Sequence, residues 1–172
     1  GTPSNKNGAD FIIEMARKYA GKLEILSLGP LTDVALALEK APEIANAIAC
    51  VTVMGGGIHA GNATKYAEFN IVADPEAASV VFSSGVKTVM IGLDATNLCY
   101  QPRSDIELLR APTGLGKIVP AMLSSYADVY KQVHNIDGMM IHDAICAVYL
   151  WRPELFTCMK CRMTVCLEDG EH

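Results

Sequence analysis

VTVMGGGIHAGNATKYAEFN, residues 51–70, decides how the rest of the chain is read. Val51 to Met54 are β-branched or apolar, the composition of a buried strand. Gly55, Gly56 and Gly57 follow at once. Successive residues without a Cβ let the chain turn sharply and let another group approach the backbone closely. Beyond the turn stand Asn62, Glu68 and Asn70, with Phe69 between the last two. A carboxylate and two carboxamides then lie near the C-terminal end of a strand, where open α/β sheets bind ligands. A glycine hinge with solvated side chains is the plain alternative. The strong strand, and the fit of amide and carboxylate groups to a polyhydroxyl ligand, favour a site.

Outward from this stretch the chain alternates. Residues 7–20 carry Phe11, Met15 and Tyr19 at spacing four, with Ile12 and Ala16 beside them. They predict an amphipathic helix started by Asn7 or Asp10 and ended by Gly21. LEILSL (23–28) reads as a strand, and Gly29-Pro30 opens a helix that Pro42 ends, proline taking a first-turn position. IACVTVM (48–54) is the second strand. Asp74-Pro75 starts a helix that stops at Gly85, and KTVMIGLD (87–94) is the third strand. This order predicts an α/β fold, a mostly parallel sheet flanked by helices and joined by right-handed crossovers, in one domain over 1–172. Leu28, the glycine turn and Asp94 then converge at one sheet edge.

The remainder reads as more helical. SDIELLRA (104–111) is a short helix. A longer one over 117–133 bears Tyr126 and Tyr130 on one face, and Pro120 sets its start at Lys117 or later. NIDGMM is a loop. HDAICAVYLW is a helix with Asp143 in its first turn, where a carboxylate complements the helix dipole. The closing TCMKCRMTVCLE is strand-like.

Composition limits the partners. The chain is 51% hydrophobic and 19% charged, with formal net charge −5. No basic run is present, which argues against nucleic acid and anionic membrane. No apolar run nears the roughly 18–20 residues that span a bilayer. The opening GTPSNKNGAD lacks signal-peptide character, so a cytoplasmic location is expected. Cys50, Cys99 and Cys146 sit in apolar runs as small core residues. Cys158 and Cys161 form a CxxC with no second pair to complete a zinc set. A strand there would turn the two thiols to opposite sides, against a redox pair.

MGGG followed by EFN and ADPEAA resembles the nucleoside hydrolases, the inosine/uridine-preferring nucleoside N-ribohydrolase family. LSLGPLTDVALAL (26–38), DPEAASVVFSSG (74–85), VMIGLDAT (89–96) and IHDAICAVYLWRPELF (141–156) resemble its further segments in the same order. The resemblance implies a Rossmann-like fold and hydrolysis of a ribonucleoside to ribose and free base. It implies a bound calcium ion held in part by Asp143 and the Leu28 carbonyl. Asn62, Glu68 and Asn70 are similar to the family's ribose-hydroxyl ligands, and Met54 and Phe69 to its apolar ribose contacts. His142 is similar to the histidine that protonates the leaving base in some members, a role that suits imidazole. Tyr126, Tyr130 and His134 lie where the family recognises the base. All of these are implied to line one cavity, in a homo-oligomer, a dimer or tetramer.

One departure stands out. The family begins with an aspartate cluster, D-x-D-x-x-x-D-D, which supplies the general base and the other calcium ligands. No such cluster occurs here. The chain therefore reads as the central portion of such a hydrolase, and by itself as inactive. The alternative is a truncated or degenerate relative that binds ribose or supports an oligomer.

Overall fold

The computed structural model describes residues 5–167. Helices and strands follow in the order α1 (Gly8–Lys18), β1 (Leu23–Ser27), α2 (Thr32–Lys40), β2 (Ile48–Met54), α3 (Phe69–Val72), α4 (Pro75–Ser83), β3 (Thr88–Ile91), α5 (Leu93–Thr96), β4 (Tyr100–Pro102), α6 (Arg103–Ile106), α7 (Leu115–His134), β5 (Gly138–Met140) and α8 (Asp143–Trp151), with short 3-10 turns between some of them. The chain separates into two compact units, Gly1–Asp94 with Cys146–His172, and Ala95–Ile145.

The first unit is built on a three-stranded parallel sheet in the order β1-β2-β3. Because that order advances in one direction, right-handed crossovers place α2 and α4 on the same face. Val51 and Val53 of β2 are fully buried and join Val34, Leu38, Ala78 and Val81 in one core cluster. Burying a valine side chain fully contributes about 1.5–3 kcal/mol. All residues of β2 except Ala49 are buried, which explains its nearly unbroken apolar run. Asp74 caps α4, accepting from the Ala77 amide at 3.1 Å, and its other oxygen takes the Thr32 hydroxyl at the start of α2. One carboxylate thus ties the starts of the two crossover helices.

Several sequence expectations change. In α1, capped by Asn7 through the Asp10 amide (2.9 Å), Phe11 and Tyr19 stay 49% and 47% exposed. Ala9 and Ala16 are the buried pair, with Ile12 and Ile13 beside them. Their small side chains permit close approach to α2, so the packed face is turned away from the larger rings. Pro30 precedes the Leu31 cap of α2 instead of lying in its first turn. The third strand stops at Ile91, and Asp94 sits in α5. Gly92 presses against the glycine turn, where a Cβ would lie 2.7 Å from the Gly56 carbonyl, and the Leu93 amide donates to that carbonyl at 2.8 Å. This contact bends the chain out of the sheet. The closing segment forms no strand over residues 156–167. Alternating residue types mark the two faces of a strand, but the strand needs a partner to bond to. Cys158 and Cys161 are both exposed and unbridged.

The second unit holds β4 and β5 as an antiparallel pair, Tyr100 opposite Met140 and Pro102 opposite Gly138. Neither strand was expected, and β5 replaces the predicted loop. The predicted helix over 104–111 is a single turn, α6, followed by a 3-10 turn. Ile106, Ala127 and Met139 form the buried centre, joined by Leu123, Tyr130 and Ile141. Arg103 bridges Asp128 at 2.5 Å and Asp137 at 3.4 Å. Helix α7 begins at Leu115, earlier than the proline suggested, and holds Pro120 inside it. The reason is local. A residue at 120 would ordinarily donate to the carbonyl of Gly116, and that carbonyl instead accepts the Ala111 amide at 2.9 Å. Among the described residues no helix is long and apolar enough to cross a membrane.

Candidate functional site

In the first unit the site is organised by Glu68. It is 3% exposed, and its Oε2 accepts the amides of Gly56 (3.1 Å), Asn70 (2.9 Å) and Ile71 (3.2 Å). It therefore caps α3 and anchors the glycine turn at once. The turn needs glycine at residue 56, whose φ is +72°, a region that residues with a Cβ rarely adopt.

The surrounding hydrogen bonds fix the polarity of each group. Asn70 donates its amide nitrogen to the Met54 carbonyl at 3.0 Å and to Met54 Sδ at 3.4 Å. Its Oδ1 is thereby left to accept. Asn62 accepts the Phe69 amide through Oδ1 at 2.9 Å. Its Nδ2 is thereby left to donate. Glu68 commits Oε2 to three amides, leaving Oε1 as a second acceptor. The predicted Asn62, Glu68, Phe69, Asn70 and Met54 are thus brought together as one bonded group at the C-terminal end of β2. Phe69 is exposed beside them and Met54 is buried. Two acceptors and one donor match vicinal hydroxyls, each of which can donate and accept. Leu28 follows β1, the parallel neighbour of β2, and its side chain is exposed.

In the second unit His142 directs Nδ1 to the Thr96 hydroxyl at 2.8 Å, and Thr96 is 0% exposed. This contact fixes the orientation of the ring through Nδ1. Asp143 begins α8 and is exposed. Along α7, Tyr126 meets Tyr130 edge-on at 5.0 Å between ring centroids, and Tyr130 meets His134 at 4.8 Å. The predicted trio therefore forms one continuous aromatic ladder. Burial first, and the Tyr126 hydroxyl second, push the Tyr130 phenol up to about 12. A raised folded value means that this group's contribution to stability is complete below about pH 10, the ordinary tyrosine value, and is lost as pH climbs further. A phenolate absorbance titration should show one late step near pH 12 that Tyr130→Phe removes.

Calcium takes six to eight oxygen ligands. Asp143 and the Leu28 carbonyl are oxygen donors of the right kind, but two do not make a set. Among the described residues no group of three or more His, Cys, Asp or Glu is placed to hold a metal ion. The described residues do not by themselves fit the calcium that the resemblance implies.

Sequence reasoning passed over two groups, Thr96 and His59. Thr96 supports His142, and His59 pairs with Asp94 through Nδ1 at 2.6 Å. Asp94 was expected near the glycine turn, and it does reach residues beyond that turn, accepting the Ile58 amide at 2.6 Å and the His59 amide at 3.2 Å. Burial raises its carboxyl, but these amides and the His59 ring outweigh that and hold it below the usual range. The only sequence signal was the position of IH directly after the glycines.

The family described as inosine-uridine preferring nucleoside hydrolase matches residues 1–172. The pyrimidine-specific ribonucleoside hydrolase RihA of Escherichia coli O9:H4 (strain HS) is 37% identical over 163 residues, 92% of this chain and 51% of the relative. The chain thus spans about half the length of the curated relatives it matches. A purine-preferring ribonucleoside hydrolase from Gardnerella vaginalis superposes with TM-score 0.94 at 32% identity, over 99% of this chain and 55% of the other. A plant nucleoside hydrolase superposes with TM-score 0.87 at 31% identity, over 91% of this chain and 50% of the other.

Proposed function

The chain belongs to the inosine-uridine preferring nucleoside hydrolase family, and on that premise we propose that the protein hydrolyses the N-glycosidic bond of ribonucleosides to ribose and free base. The observation that carries the reading is the bonded group around Glu68. Its hydrogen bonds leave Asn70 Oδ1 and Glu68 Oε1 to accept from ribose hydroxyls and Asn62 Nδ2 to donate to one. Met54 and Phe69 supply the apolar side of the sugar's surroundings. Holding these groups in place beforehand lets them strengthen as positive charge builds on the ribosyl ring.

His142 is the proposed acid. As an imidazolium it donates from Nδ1 to Thr96 and is proposed to pass a proton to the departing base. Tyr126, Tyr130 and His134 are proposed to meet the base through their ladder of rings. Asp143 and Leu28 remain the proposed calcium ligands in the family pattern. No step is routed through the ion, because the donors among the described residues do not complete its shell. A homo-oligomer and a cytoplasmic location belong to the same proposal.

The names of the relatives cover pyrimidine and purine substrates alike, so the test is a panel of uridine, cytidine, inosine and adenosine on the full-length protein. At least one nucleoside should release ribose, and Asn70→Ala should lower kcat/KM for it about a hundredfold, the cost of a misplaced sugar. Unchanged kcat/KM in that variant overturns the site. A second reading is ribose binding without cleavage. It predicts that calorimetry detects ribose while no member of the panel is cleaved.

A further inference from the structure

We propose that Asp94 is a positioning residue that locks the loop after the glycine turn, so that Asn62 is presented to the sugar in one arrangement. The inference rests on the hydrolase reading. The loop from Ile58 to Asn62 leaves the turn and carries the donor of the bonded group. Its rear end is pinned, because the Asn62 side chain takes the Phe69 amide and the Asn62 amide bonds to the Ala67 carbonyl at 3.1 Å. Its front end has no helix or strand of its own to hold it. Asp94 supplies that hold from α5, with Oδ2 on the Ile58 amide and Oδ1 on the His59 amide and ring. A charged acceptor on backbone amides makes one of the stronger kinds of hydrogen bond. The carboxylate reaches across from the end of the neighbouring strand's connection, so the two loops leaving β2 and β3 are fastened to each other. His59 adds a side-chain bond to the lock, but its ring is exposed and the two backbone bonds survive without it.

The arrangement predicts unequal effects. Asp94→Ala releases both amides, so a substrate must order the loop as it binds. KM should rise about tenfold or more while kcat changes less than about threefold. Asp94→Asn keeps acceptor capacity on one atom only and should fall between wild type and Asp94→Ala. His59→Ala should raise KM less than Asp94→Ala does. In parallel, hydrogen exchange of the Ile58 and His59 amides should quicken at least about tenfold in Asp94→Ala and much less in His59→Ala. Both measurements use the full-length protein, with melting curves to confirm folding. A fall in kcat at constant KM, or a His59→Ala effect equal to that of Asp94→Ala, overturns the proposal. If the wild-type protein cleaves no nucleoside, the hydrolase reading fails by itself, and exchange then decides the lock: unaltered amide exchange in Asp94→Ala overturns it.

Discussion

Glu68→Ala should destabilise the protein by about 3–5 kcal/mol, because three amides lose their acceptor and each buried amide left unpaired costs about 1–3 kcal/mol. Gly56, Asn70 and Ile71 all donate to the same oxygen of this nearly buried side chain. The turn, the start of α3 and the orientation of Asn70 would go together. The kcat/KM of the full-length protein should fall at least about a hundredfold. Glu68→Gln separates the two roles. Its amide oxygen can take the place of Oε2 and keep the three bonds without the charge, at a stability cost of about 1–2 kcal/mol. The other position then holds a donor where the sugar needs an acceptor, so activity should fall far more than stability. Urea unfolding and steady-state kinetics on the same samples check both. A Glu68→Gln protein with full activity would show that Oε1 does not meet substrate.

The second large effect is expected at His142. Loss of a general acid typically costs about 10²–10⁴-fold in rate, so His142→Ala should reduce kcat on natural nucleosides by that order. The loss should nearly vanish with a 4-nitrophenyl riboside, whose leaving group departs without a proton. An equal loss on both substrates would mean that His142 binds or supports and does not protonate. Thr96→Val offers a milder version, since it keeps the shape and removes the hydroxyl that holds Nδ1 at 2.8 Å. A fall of about tenfold is expected, with activity restored by Thr96→Ser.

The parts of the fold that could be read from sequence are those decided by local composition. Strand β2 is buried on both faces and therefore apolar throughout nearly its length. Asn7 and Asp74 announce their helices because a short acceptor side chain must meet the first free amides. The bonded group around Glu68 was legible because residues 54–70 carry all of its members. What failed depended on distant partners. Strands β4 and β5 are three residues each, and include a proline and a glycine, so only their mutual pairing makes them strands. The closing segment shows the reverse, strand-like alternation that forms no strand over residues 156–167. Asp94 and His59 lie far apart in sequence and belong to no shared motif, so their contact emerges only when β2 and β3 align. In α1 the size of the rings suggested the buried face, and the spacing between helices chose the alanines instead.

The broken bonding ladder at Pro120 has a mechanical side. With the Gly116 carbonyl turned to Ala111, the opening turn of α7 is stitched at that point to the segment before it. The missing helix bond thus falls in the first turn and a half, and the rings of Tyr126, Tyr130 and His134 sit downstream of it in the same helix.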